Sequence, residues 1–381
     1  MKKALSVIFL TVLCVLFFGT FCSGYFTDLR TMFSGYGGGL KGLILTVMEK
    51  DYLDERLNKD VFRHDNWIDL YGGALRLTGV CSLREDDGKH IVRTAGDRLA
   101  FVWAQRRPSA QQTEWIRSLR KAALETGADC WYVSIPQKTC PTETVYCDRG
   151  AANHSEETDR AYAAVFEDAG YRVLDLHARM HADGLRHEAL YYRTDHHWTD
   201  SAAFWAAGVA AQEIGLPTEH MDPDLYETEV FPKSFLGSEG KHLGRLYVGM
   251  DDFELRIPRF ATRLTQTSDG EHPRAGTFSD ALFYREYLTR DTFKDSMYGA
   301  YLGGDKKLVR IRNELLPQGK RILLFKDSFG NSMASYLAPA CGQLDLIDPR
   351  FYDGSSVLFA QQGKYDVIVV ATTYLDLGKP D

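Results

Sequence analysis

Five short runs rich in Val, Ile, Leu and aromatic residues constrain this 381-residue chain more than any other feature. They are residues 130–135 (CWYVSI), 171–176 (YRVLDL), 321–325 (RILLF), 344–347 (LDLI) and 366–371 (DVIVVA). A strand apolar along its whole length has no face to give to water, so it belongs in a sheet covered on both sides. Helical patterns lie between the runs. Trp115, Ile116, Leu119, Ala122 and Ala123 recur at helical spacing, and Gly127 stands where that helix should stop. Tyr162, Val165, Phe166 and Ala169 form a second such face, stopped by Gly170. Thr199 or Asp200 can cap an Ala-rich helix running to about Ile214, and residues 331–338 and 357–362 read as further helices. Strands alternating with helices predict an α/β fold, a three-layer domain on a mostly parallel sheet over residues 109–381.

Residues 217–313 break this rhythm with short aromatic and charged stretches, and read as an inserted region of short β elements and loops. Residues 25–108 are expected to form an N-terminal extension packing on the main domain. Before them, Lys2 and Lys3 precede an almost unbroken apolar run over residues 4–21. Roughly 18 apolar residues can cross a bilayer as a helix, so residues 1–24 read as a signal anchor or signal peptide. The basic start then places the rest of the chain outside the cytoplasm. A net charge of -7 argues against a general nucleic-acid binder.

Of seven cysteines, Cys14 and Cys22 belong to the N-terminal segment, residues 1–24. Cys140 and Cys147 flank a loop containing Pro141 and could form a disulfide in an oxidising compartment. Cys81, Cys130 and Cys341 read as isolated small core residues.

Two segments carry chemistry: residues 194–199 (TDHHWT) and 326–331 (KDSFGN). The second closes the RILLF run and opens a helix. Ser328 therefore stands at the C-terminal edge of a parallel sheet, where catalytic groups gather. Unpaired backbone N–H groups at the helix start, those of Phe329 and Gly330, could hold an oxyanion. Ser328 could equally be a mere N-cap. A serine nucleophile needs a base, and the base needs a carboxylate to fix its tautomer. Asp-x-His in one short turn supplies both. Two other readings of the Asp195, His196 and His197 cluster stay open: packed core residues beside Trp198, or metal ligands helped by the upstream His177, His181 and His187.

At these residues the sequence resembles the DHHW protein family, a branch of the SGNH-like esterase group related to the alginate O-acetyltransferases. FLGSEGK at 235–241, MYGAYLGGDKKLVRI at 297–311, LLFKDSFGNS at 323–332 and LIDPRFYDG at 346–354 look like further blocks of it. The resemblance implies a flavodoxin-like SGNH fold with permuted motif order, the acid-base pair preceding the nucleophile. Carried over by position, it makes Ser328 the nucleophile, His197 the base in preference to His196, and Asp195 its carboxylate. A Pro-x-Lys pattern falls on Pro136 and Lys138, which with His196 join the candidates for binding substrate. Gly237 and Ser238 are as plausible as oxyanion donors as Asn331, three residues beyond the serine. The implied activity is extracytoplasmic O-acetyl transfer to a cell-surface or secreted polysaccharide through an acyl-serine. A membrane acyl-donor protein is a possible partner, and neither cofactor nor metal is expected. The alternatives are a carbohydrate esterase and a catalytically idle glycan-binding envelope protein, the latter drawing on Trp198, Trp205 and Tyr301 near the site blocks.

Overall fold

A computed structural model describes Ser34 and residues 63–84, 89–268 and 270–378. The expected membrane segment, residues 1–24, lies outside the described residues, and no described helix is long and apolar enough to cross a membrane. The chain divides into two compact units, Met1–Ala74 and Leu75–Asp381. In chain order the elements are α1 (His64–Leu77), β1 (Ser82–Arg84), β2 (His90–Thr94), β3 (Arg98–Phe101), α2 (Ala110–Thr126), β4 (Asp129–Ser134) and α3 (Ser155–Asp168). There follow β5 (Arg172–Asp175), α4 (Leu176–Ala182), α5 (Asp200–Glu213), β6 (Tyr226–Phe235), α6 (Ser238–Leu243), α7 (Arg245–Val248) and β7 (Asp251–Pro258). The remainder are β8 (Leu264–Ser268), β9 (Arg274–Gly276), α8 (Phe278–Leu282), β10 (Leu308–Asn313), β11 (Arg321–Lys326), α9 (Phe329–Leu337), β12 (Gln343–Ile347), α10 (Ser356–Gln362) and β13 (Val367–Thr372).

The second unit is an α/β domain on an eight-stranded sheet of order β5-β4-β13-β11-β12-β10-β8-β9. The five apolar runs are its five parallel strands, β5, β4, β13, β11 and β12. Alternation along each strand divides the core between two faces. On one face Val369, Ala371, Val133 and Leu324 pack against Ala203, Ala207 and Ala210 of α5 and Met333 and Ala334 of α9. On the other, Ile368, Val370, Tyr132 and Phe325 meet Ile116 and Leu119 of α2 and Tyr162 and Phe166 of α3. Local signals set the helix ends. Ser109 and Gln112 make a capping box at the start of α2, and Gly127 at φ 76° ends it. Thr199 caps α5 by accepting from the Ala202 N–H.

The region read as an insertion divides in two. Strands β6 and β7 form a separate two-stranded ribbon. Strands β8, β9 and β10 instead extend the central sheet, β10 pairing antiparallel with β12. Leu308, Val309 and Ile311 are buried there, which an edge of β12 left open would not allow.

The disulfide differs from the expected one: Cys147 is bonded to Cys81, not to Cys140. The Cys147 N–H donates to Arg93 O at the end of β2, and the Arg93 N–H to Cys81 O, so one strand holds both cysteines side by side. Cys140 stays a buried thiol.

Candidate active site

Ser328 lies between the end of β11 and the first residue of α9. It occupies the N-cap position, but its hydroxyl makes no capping bond. Asp327 does that work: its Oδ1 accepts from the Phe329 N–H at 3.0 Å, and its Oδ2 from the N–H and hydroxyl of Thr373 at 2.8 and 3.0 Å. The turn is thereby pinned to the end of β13, and the serine oxygen is left free. It sits 2.7 Å from His197 Nε2. His197 Nδ1 is in turn 2.5 Å from Asp195 Oδ1.

A three-residue turn cannot hold this geometry unaided, and several bonds brace it. Asp195 Oδ1 also accepts from the His197 N–H at 2.9 Å, and Oδ2 from the Ser238 N–H at 2.7 Å. Thr194 donates both its N–H and its hydroxyl to the Asp251 carboxylate, and Gly237 N–H donates back to Thr194 Oγ1. Gly237 lies so close that a Cβ there would fall 2.1 Å from Asp195 Cβ. The His197 ring is stacked on Tyr298 with centroids 4.0 Å apart and planes 12° apart. Tyr298 is held by Ser332 Oγ at 2.6 Å, which also accepts from Trp198 Nε1.

Burial alone would raise the Asp195 carboxyl, but the His197 and His196 rings and the Ser238 N–H hold it well below the usual carboxylate range. An ionised Asp195 only accepts hydrogen bonds, so the His197 proton belongs on Nδ1 and Nε2 presents its lone pair to Ser328. Burial, reinforced by the His197 ring, pulls His196 down to about 3, so it is neutral at ordinary pH.

Ser328 opens into a cavity of about 220 Å³. Lys138, His196 and Phe329 line it. The other candidates stand elsewhere. Gly237 and Ser238 spend their N–H groups on the Asp195 turn. Gly330 N–H donates to Asp327 O and packs on Lys326, and the Phe329 N–H is taken by Asp327. The Asn331 amide donates to Asp305 Oδ1 at 2.8 Å. Lys138 Nζ donates to Asp195 O at 2.8 Å and lies 3.6 Å from the fully buried Glu239, while Pro136 O accepts from the Tyr191 hydroxyl. Trp198 and Tyr301 are buried and cannot serve as sugar platforms, and Trp205 bonds Asp183.

Other residues at the site carried no sequence signal of their own. Phe101, Trp103 and Tyr374 give the cavity aromatic walls, and Arg106 lies 4.0 Å from the Tyr374 ring centroid. Beneath the serine turn, buried Lys326 pairs with Asp305 and Asp348, each at 3.1 Å. Arg350, on the cavity wall, bonds both carboxylates. This network joins three of the sequence blocks, so Asp305, Lys326, Asp348 and Arg350 in them are explained by support of the turn.

The description "SGNH hydrolase-like domain, acetyltransferase AlgX" matches residues 98–282. Solved structures of similar fold include a DHHW family protein from Eubacterium siraeum, with a TM-score of 0.58 and 17% identity over 76% of this chain and 92% of that one. PatB1 of Bacillus cereus gives a TM-score of 0.62 and 18% identity over 77% of this chain and 99% of that one. The same protein has been solved with a sulfonyl adduct, with a TM-score of 0.60, 17% identity and coverage of 78% and 98%. At such identities the likeness is one of fold. No curated protein matches the chain.

Proposed function

We propose that this chain, whose residues 98–282 match the SGNH hydrolase-like domain of the acetyltransferase AlgX, is an extracytoplasmic O-acetyltransferase acting on a polysaccharide. The observation that carries the reading is the unbroken relay from Ser328 Oγ through His197 to Asp195, at 2.7 and 2.5 Å. His197 Nε2 takes the hydroxyl proton as Ser328 Oγ attacks the acetyl carbonyl, and Asp195 stabilises the imidazolium. The imidazolium returns the proton to the leaving group, leaving an acetyl-serine. A sugar hydroxyl then repeats the cycle in reverse, giving its proton to His197 and taking the acetyl group. For the oxyanion, the N–H of Ser328 itself is the donor, since the next two amides are spent inside the turn.

Trp103 and Tyr374 suit a sugar acceptor, because an aromatic wall offers rigid amphipathic area. The Cys81–Cys147 disulfide and the basic-then-apolar N-terminus support a location outside the cytoplasm, with the first segment as anchor and a membrane protein as acyl donor. The test gives the full chain 4-nitrophenyl acetate with and without an acceptor glycan, beside Ser328→Ala and His197→Ala. Acetyl appearing on the glycan, and lost in both variants, is the expected result. Equal activity in all three proteins would refute the relay, and acetate release with no glycan product would make the protein an esterase.

A further inference from the structure

A second cluster of reactive side chains lies outside the serine site. The loop after β4 brings Cys140 and Glu143 together in a tight turn, with the Glu143 and Thr144 N–H groups both donating to Cys140 O. Helix α4 presents His177 and His181, one turn apart on the same face. The rings converge on the thiol: His177 Nε2 is 3.3 Å from Cys140 Sγ, and His181 Nε2 is 3.1 Å from His177 Nε2. Glu143 Oε1 completes the set, 3.5 Å from His181 Nε2.

Each of these separations is close to that between neighbouring ligand atoms of one ion, and the atoms meet as two triads that share the thiol. Tetrahedral zinc with bonds of roughly 2.0–2.3 Å places its ligand atoms about 3.3–3.6 Å apart. A thiolate with imidazoles is a zinc donor set. An independent observation comes from His187, which is 1% exposed. Its Nε2 is 2.8 Å from Gln137 O, a bond that needs the proton on Nε2. Its Nδ1 therefore carries a buried lone pair, and no described group bonds it. Cys140, His177 and His187 present ligand atoms all within 4.8 Å of one another, as do Cys140, Glu143 and His181. A ring that gives its second N–H to a backbone carbonyl is oriented as metal-bound histidines are. The disulfide adds to this. Cys147 is oxidised with Cys81, yet Cys140 in the same loop keeps its thiol.

We propose that Cys140, His177 and His187 bind a zinc-class divalent cation, with His181, 3.1 Å from His177 Nε2, turning in as the fourth donor. Cys140 binds as thiolate and releases its proton to solvent. The cation is structural. It clamps the loop after β4 onto α4, and that loop supplies Gln137, Lys138 and Thr139 to the cavity wall beside Ser328. This is a metal that sequence reasoning did not expect, and it takes no part in the acyl transfer.

The full chain, equilibrated with zinc and then dialysed against metal-free buffer, is assayed by elemental analysis beside Cys140→Ser and the double variant His177→Ala/His181→Ala. One zinc per chain in the wild type, lost in both variants, is the expected result. Because either variant could misfold, the wild type is also exchanged with cobalt. A thiolate-to-cobalt charge-transfer band in the near ultraviolet supports ligation by Cys140. A wild type without stoichiometric zinc, or without that band, or variants that keep their zinc, would overturn the site.

Discussion

Replacing Asp195 with Asn tests the tautomer argument directly, because the change alters protons and almost no volume. The carboxylate accepts three hydrogen bonds, from the His197 N–H and Nδ1 on Oδ1 and from the Ser238 N–H on Oδ2. An amide can accept on one side only. With its oxygen towards His197, the NH2 faces the Ser238 N–H; with its oxygen towards Ser238, the NH2 faces the His197 N–H and takes the lone pair of Nδ1. The second arrangement moves the ring proton to Nε2, where it points at Ser328 Oγ and removes the base. Loss of the correct tautomer costs about 10⁴-fold in kcat, equivalent to about 5.5 kcal/mol of barrier. A buried donor facing a donor costs about 1–3 kcal/mol of stability in either arrangement. The assay is steady-state hydrolysis of 4-nitrophenyl acetate with a parallel denaturant melt. A folded Asp195→Asn protein whose kcat stays within about tenfold of wild type would refute the orienting role given to Asp195.

Other perturbations follow from single features. Gly237→Ala puts a methyl group 2.1 Å from Asp195 Cβ and 2.6 Å from Thr194 O, so the turn must move. Esterase activity should fall together with about 1–3 kcal/mol of stability in a denaturant melt. Cys147→Ser opens a link across 66 residues, for which loop entropy gives about 4 kcal/mol of destabilisation, read as a lower denaturation midpoint. Burial pushes the Glu239 carboxyl from 4.5 up to about 7, against the pull of Lys138. The folded state then keeps a proton that the unfolded state has already released, so stability falls as pH rises from about 4.5 to about 7 and is level above. Glu239→Gln should flatten that slope in melts taken across the window, and an unchanged slope would assign it to other groups.

What the sequence made legible is what alternates or clusters within a few residues. The parallel strands could be read because each is apolar on both faces, and Ser328 because a strand-to-helix turn is a local pattern. Asp195 and His197 sit two residues apart, so the spacing made their pairing possible, and the resemblance to the DHHW family chose His197 over His196. Pairings over long distances were hidden. Cys140 and Cys147 are close in sequence, but β2 carries Cys81 to Cys147 and leaves Cys140 facing α4. Trp198 and Tyr301 look like surface aromatics when counted by composition. They are buried because the Trp198 indole and the Tyr298 hydroxyl share Ser332 behind the histidine, and because Tyr301 bonds Asp200 at the start of α5.

That hidden layer explains why the site needs so many sequence blocks. A histidine loop and a serine turn separated by 131 residues must meet to within a hydrogen bond, and neither contains enough contacts to fix its own position. Asp251 and Gly237 hold the first, while Asp327, Thr373 and the Lys326, Asp305, Asp348 and Arg350 network hold the second. Tyr298 bridges them, stacking on His197 and bonding Ser332 one turn beyond Ser328. Removing the Tyr298 ring therefore disturbs the angle at which His197 meets Ser328 without touching either residue. In a relay that works over hydrogen-bond distances, a misplacement of about 1 Å is enough to cost about 10²-fold in rate.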